Sequence, residues 1–148
     1  MKTKNEIRAT IKARRNEGQP LLRESALICR RIEAMEEFRS AGTILSYSPM
    51  KGEVDVSLLD CKGKKVILAD CDWKDIPAAE IDFAIIPGVA FAKAGEKWKR
   101  LGRGGGYYDR LIPELHCRTV APAFDFQIMD DIPCDSWDRP VDEVITSK

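Results

Sequence analysis

Asp82-Phe-Ala-Ile-Ile86 is a run of four apolar residues behind one acid, closed at once by Pro87-Gly88. Apolar and polar residues do not alternate in it. A strand with one wet face needs that alternation; an unbroken apolar run suits a strand covered on both faces, as in a parallel sheet between helices. Lys65-Val-Ile-Leu-Ala69 repeats the pattern and is expected to be buried in the same way. Thr43-Ile-Leu-Ser-Tyr47, closed by Ser48-Pro49, reads as another strand, and 118–123 and 143–146 read as two further, less apolar ones.

Helices flank these runs. Residues 3–17 place Ile7 and Ile11 on one face and Lys4, Arg8 and Lys12 on another. Gly18 is expected to end that helix, and Pro20 suits the first turn of a second one reaching about Arg39. Its apolar positions Leu21, Ile28, Ile32, Met35 and Phe38 keep helical spacing. Helices alternating with continuous apolar strands predict a single α/β domain over 1–148 with a mainly parallel central sheet.

From Pro87 to Gly106 about twenty residues show little periodic pattern, which predicts a long loop between a strand end and a helix starting near Tyr107. Loops of that length in a small domain are usually functional, and open parallel sheets bind ligands at the carboxyl ends of their strands. Its last part, Arg100-Leu-Gly-Arg-Gly-Gly-Gly-Tyr-Tyr-Asp109, is the most informative stretch of the chain. Gly102, Gly104, Gly105 and Gly106 let the backbone approach a ligand and turn successive N–H groups toward an anion. Arg100 and Arg103 offer guanidinium forks that match phosphate oxygens. Asp109, beside such a site, is a candidate Mg²⁺ ligand, because Mg²⁺ is usually held by one or two carboxylates together with phosphates. The run lacks the Gly-Lys-Ser/Thr of a Walker A loop and the glycine spacing of the dinucleotide fingerprint.

The bulk composition restricts the function class. Net charge is zero, so no overall field favours nucleic acid or an anionic membrane. No apolar run approaches the ~20 residues of a membrane-spanning helix, and the charged N-terminus lacks the apolar core of a secretory signal. Five cysteines without a CxxC pair read as buried or incidental thiols in a reducing, cytoplasmic compartment. Charge is segregated: residues 93–110 carry six basic against two acidic side chains, and 125–148 carry seven acidic against two basic. A basic loop facing an acidic segment suits an anion with a divalent metal.

Ile86-Pro-Gly-Val-Ala-Phe91 followed by Arg100-Leu-Gly-Arg-Gly-Gly-Gly-Tyr-Tyr-Asp-Arg-Leu111 resembles the signature of the 5-formyltetrahydrofolate cyclo-ligases, or methenyltetrahydrofolate synthetases. Lys4-x-x-Ile-Arg8, Tyr47-Ser-Pro-Met-Lys-Gly-Glu53 and Asp138-Arg-Pro-Val-Asp-Glu-Val-Ile-Thr146 resemble the family's opening, strand-end and closing segments, in the right order. The resemblance implies a three-layer α/β/α fold and a monomeric or weakly dimerising cytoplasmic ligase of one-carbon metabolism. It also implies ATP and Mg²⁺ as cofactors, and conversion of 5-formyltetrahydrofolate to 5,10-methenyltetrahydrofolate through a phosphorylated formyl group.

Carried onto this chain, Lys4 and Arg8 would reach ATP phosphates. Arg100, Gly102, Arg103, Gly104, Gly105, Gly106, Tyr107 and Tyr108 would line the phosphate site, with Arg103, Tyr107 and Tyr108 serving catalysis. Met50 and Glu53 would contact the folate, together with Arg103, the three consecutive glycines and Tyr107; Asp109 and Asp138 would hold Mg²⁺. The chain is a shortened relative: about a dozen residues fill 70–81, where the family has a longer, aromatic-rich segment that encloses the folate. ATP binding is therefore expected to be near normal and folate binding weak, unless Trp98, in the long loop, or a second subunit supplies the missing wall. Two other readings stay open: a relative that binds nucleotide or folate without turnover, and an ATP-dependent enzyme for another small formyl or carboxyl substrate. His116, the one histidine, reads as a surface or capping residue, and Trp73 and Trp137 as packing residues.

Overall fold

A computed structural model describes residues 1–17 and 21–148. The expected stop at Gly18 and start at Pro20 lie outside the described residues. Helix α1 spans Lys4–Arg15. Thr3 caps it: its hydroxyl accepts from the Glu6 N–H and its own N–H donates to the Glu6 carboxylate, a reciprocal cap that satisfies two otherwise free donors.

The second expected helix is two helices, α2 (Leu22–Glu33) and α3 (Glu36–Ser40), because Met35 is extended between them. The break turns Phe38 into the sheet, where its ring meets that of Phe83 edge-on at 5.6 Å.

Five strands, β1 (Thr43–Ser46), β2 (Lys65–Leu68), β3 (Phe83–Ile85), β6 (Arg118–Pro122) and β7 (Glu143–Ile145), pair in parallel in the order β2-β1-β3-β6-β7. On one face Ile44, Phe83, Ile85 and Val120 pack under Ile28 and Ile32 of α2 and Phe38 of α3. On the other, Leu45, Ala84, Ile86 and Ala121 are covered by Ile76 and Ile81 and by Leu111 of α4 (Tyr107–Leu111). Strands apolar on both faces are thus covered on both faces, the physical content of the α/β reading.

Two expectations need correction. Lys65–Ala69 is not a buried strand: β2 is an edge, with Val66 41% and Leu68 40% exposed. A continuous apolar run records coverage, but does not say whether a strand has one neighbour or two. The long 87–106 loop is also not a loop. It contains an antiparallel hairpin, β4 (Ala90–Ala94) and β5 (Lys97–Leu101), joined by Gly95-Glu96 with Gly95 at φ +65°. A two-residue turn headed by glycine is a hairpin signal; lysines at both strand ends and tryptophan between lysines masked the alternation. The hairpin forms the outer wall for α1, whose Ile7 and Ile11 pack on Ala90, Ala92 and Leu101 with Ile132.

The hairpin also explains the segregated charge. Lys99 pairs with Asp131 at 2.7 Å and Lys97 with Asp142 at 3.4 Å, so much of the basic stretch is tied directly to the acidic one.

Candidate active site

The carboxyl ends of β1, β2 and β3 lead into Tyr47-Ser48, Ala69-Asp70 and Pro87-Gly88, and all six residues line a cavity of about 360 Å³. The glycine run closes one side of it, α1 another, and the turn Trp137-Asp138 a third. Every residue to which the family resemblance gives a role lies on this wall: Lys4 and Arg8 from α1, Met50 and Glu53 after β1, Arg100 through Asp109, and Asp138.

The glycine run is shaped by local sterics and by arginines. Gly104 sits at φ +113° and Gly106 at φ +73°, in the half of backbone space that a Cβ disfavours. Among the described residues the N–H groups of 103–106 donate to no protein acceptor, in backbone or side chain. Residues 103–105 are exposed and Gly106 half-buried, so four consecutive donors on the cavity wall stand without protein partners. Arg8 holds one end of the run by donating to the Gly102 carbonyl at 2.8 Å, and Arg110 holds the other through the Gly105 carbonyl at 3.0 Å.

Arg100 is buried, 8% exposed. Its Nε donates to the Pro87 carbonyl at 2.6 Å, its guanidinium lies on the Tyr108 ring at 5.0 Å, and it stands 4.0 Å from Asp109. Burial lowers its pKa from the usual arginine value, against the pull of Asp109. A Cβ on Gly102 would come within 3.1 Å of this guanidinium. Arg103, by contrast, is exposed and reaches across the cavity mouth, with Nη2 3.1 Å from Glu53 and Nη1 against the Met50 sulfur. Glu53 also accepts from the Met50 N–H at 2.7 Å, which closes a turn whose Gly52 has φ +83°.

Tyr107 donates to the Cys71 carbonyl at 2.8 Å, and its ring meets that of Tyr108 at 4.9 Å. Burial pushes both phenols above their ordinary pKa, Tyr108 strongly, so both stay neutral and act as hydrogen-bonding groups rather than bases near neutrality.

A model of the 5-formyltetrahydrofolate cyclo-ligase family matches residues 69–147. The chain belongs to this family. The 5-formyltetrahydrofolate cyclo-ligase of Escherichia coli (strain K12) is 42% identical over 65 residues, and that of Mus musculus 44% over 66 residues. These stretches cover 42% and 40% of this chain but only 34% and 31% of the relatives, about a third of their length. Among solved structures, a 5,10-methenyltetrahydrofolate synthetase of Aquifex aeolicus superposes with a TM-score of 0.82 at 29% identity, covering 98% of this chain and 90% of that one. One from Mycoplasma pneumoniae gives 0.82 at 24% identity, covering 98% and 99%, and supports the fold.

Several wall residues of this cyclo-ligase-family chain escaped the sequence reading. Asp70 follows a strand end and carries no motif of its own, while Tyr47 and Ser48 lie inside the family-like strand-end segment without a role of their own in it. Trp137, read as packing, is 62% exposed on the cavity wall. Trp98, considered as a ligand cover, lies elsewhere: its backbone exchanges two 3.0 Å hydrogen bonds with Val141, and its ring is partly buried in the sheet-side core.

Asp109 and Asp138 were both read as metal ligands. Asp109 accepts from the Arg139 N–H at 3.0 Å, which ties the Asp138-Arg139 turn to α4. Asp138 accepts from the Asp135 N–H at 2.7 Å and from Lys4 at 2.6 Å. Among the described residues no three His, Cys, Asp or Glu side chains are grouped to hold a metal. Two carboxylates on the wall of an anion cavity fit Mg²⁺ bound together with phosphates, and do not fit a site made by protein alone.

Burial alone would raise the pKa of Asp138, but the Asp135 N–H and Lys4 outweigh it and hold the carboxyl below the usual range. A depressed folded pKa contributes stability above the unfolded value of ~3.9 and loses it as pH falls through the folded value. Asp142, held down by Thr119 and Lys97 against its own burial, acts in the same direction. Acid unfolding monitored by circular dichroism is expected to begin below about pH 4 and to become shallower in Asp138→Asn; an unchanged acid limb would remove Asp138 from this account.

Proposed function

We propose that this chain is an ATP- and Mg²⁺-dependent enzyme that converts 5-formyltetrahydrofolate to 5,10-methenyltetrahydrofolate. The observation that carries this is the run of four unpaired N–H donors at 103–106 on a cavity wall shared with Lys4, Arg8 and Arg103. Family membership supports a cyclo-ligase reaction, and the course proposed for it is this. The formyl oxygen attacks the γ-phosphorus of ATP and ADP leaves. The N10 amine then attacks the activated carbon, and phosphate departs with the former formyl oxygen as N10 loses its proton.

Phosphoryl transfer asks a protein for position and charge neutralisation more than for a nucleophile. Lys4 and Arg8 would hold the phosphates, and the N–H groups would take the oxygens on which charge develops. Arg103, linked to Glu53 and Met50, would stand between the phosphoryl group and the folate. The neutral phenols of Tyr107 and Tyr108 would orient oxygens without removing protons. Asp109 and Asp138 would hold Mg²⁺, which when bound neutralises phosphate charge. Lys4 must then leave Asp138 for the nucleotide. Asp138→Asn is expected to raise the Mg²⁺ concentration needed for half-maximal rate, with little change in ATP affinity measured without metal; an unchanged Mg²⁺ requirement would sink its metal role.

Of residues 70–81 only Asp70 lines the cavity, which favours a folate held less tightly than the nucleotide. The deciding experiment follows methenyl product absorbance after mixing protein, ATP, Mg²⁺ and 5-formyltetrahydrofolate. Product that depends on all three additions supports the proposal. Ligand binding without product would favour the binding-protein reading, and ATP consumption only with another formyl or carboxyl substrate would favour a different ligase.

A further inference from the structure

Trp137 is a large aromatic side chain that the fold leaves uncovered. It is 62% exposed, the most exposed of the large hydrophobic side chains after Met1 among the described residues. Its indole offers a broad aromatic face, and it lines the cavity wall. Its backbone is held: the Asp138 N–H donates to the Asp135 carbonyl at 3.1 Å, and the Asp135 N–H to the Asp138 carboxylate at 2.7 Å. Lys4 bridges both carboxylates, at 2.5 and 2.6 Å, and lies 5.7 Å from the centre of the indole ring. The ring is therefore presented at the cavity wall by an anchored turn.

Helix α1 gives the cavity a direction. Lys4 stands by Trp137, and Arg8, one turn on, grips the glycine run, so these two stations lie roughly 6 Å apart along the helix. The unpaired N–H groups occupy the middle, the Met50–Glu53 turn with Arg103 one end, and Trp137 the other.

Resting on the phosphate-site reading above, we propose that Trp137 is the platform on which the nucleobase of the bound nucleoside triphosphate stacks. The nucleotide then lies along α1 with its base at Trp137 and its terminal phosphate toward Arg103. Because an aromatic face reads stacking area and not hydrogen-bond pattern, the site is expected to accept adenine and guanine alike.

The test is calorimetric titration of ATP, GTP, inorganic tripolyphosphate and 5-formyltetrahydrofolate into wild type, Trp137→Ala and Trp137→Phe. Trp137→Ala is expected to weaken both nucleotides by about tenfold, within the range reported for one base–aromatic stack. Tripolyphosphate should stay within about twofold, and Trp137→Phe should recover most of the nucleotide affinity. Equal weakening of tripolyphosphate would make Trp137 a support for the loop and overturn the proposal, as would unchanged ATP binding. Loss of 5-formyltetrahydrofolate binding with ATP unaffected would put the ring on the folate side and also overturn it. If wild type bound neither ATP nor tripolyphosphate, the phosphate site itself would fall, and the stacking role with it.

Discussion

Replacing Arg103 with alanine is expected to slow methenyl formation by roughly 10²–10³-fold, the usual consequence of losing one preorganised donor to a group that gains charge in the transition state. The fold should barely notice. The Arg103 side chain is 49% exposed, and its partner Glu53 keeps the Met50 N–H as a donor. Arg103 is solvated, but Glu53 is only 6% exposed and keeps a single donor, so the loss should slightly exceed the ~0–1 kcal/mol of a surface pair, about 4 °C or a little more in melting temperature. Arg103→Lys keeps the charge but loses the planar fork that meets two oxygens at once, and should fall between the two. Single-turnover kinetics with saturating ATP separates this effect from weaker binding. Activity of Arg103→Ala within twofold of wild type would show that the side chain bridging the cavity mouth is not part of the chemistry.

The opposite pattern is expected at Phe83. This ring lies at the centre of β3, fully buried between β1 and β6 and edge-on to Phe38. Phe83→Ala removes the ring and leaves a cavity, which typically costs 3–5 kcal/mol. That is a large part of the ~5–15 kcal/mol by which domains are stable. Chemical denaturation should show the loss as a lower midpoint with little change in slope. The rate per folded molecule should hold, since Phe83 packs under α2 and α3 and does not line the cavity. A loss below about 1 kcal/mol would mean that neighbouring side chains collapse into the space, contrary to close packing of such interiors.

The two substitutions separate what could be read along the chain from what could not. Apolar runs such as Phe83–Ile86 reveal strands because burial on two faces removes the polar alternation. The glycine–arginine run reveals an anion site because few other purposes place four glycines beside two arginines at a helix start. The terminal motifs added Lys4, Arg8 and Asp138, which local pattern alone would have left as surface charge.

Several features had no local signal. The edge position of β2 depends on how many neighbours a strand acquires, and its own residues do not encode that number. The hairpin at 90–101 was hidden because each of its faces mixes apolar and basic residues: Ala90, Ala92 and Leu101 share one with Lys97 and Lys99, and Phe91 and Trp98 share the other with Lys93 and Arg100. Trp98 and Trp137 exchanged roles for the same reason. A tryptophan's surroundings are set by residues far away, Val141 for the first and Lys4 for the second. Arg100 and Arg103 look alike in a glycine-rich run, yet one is buried against Tyr108 and Asp109 and the other spans the mouth to Glu53. The sequence by itself determined the layered parallel sheet and marked the glycine–arginine run as the candidate anion site, because periodicity and residue type are local properties. Only the tertiary structure decided which arginine of the cavity wall is buried and which exposed, which tryptophan stands on that wall and which strand is left at the edge, because burial follows from contacts between segments distant in the chain.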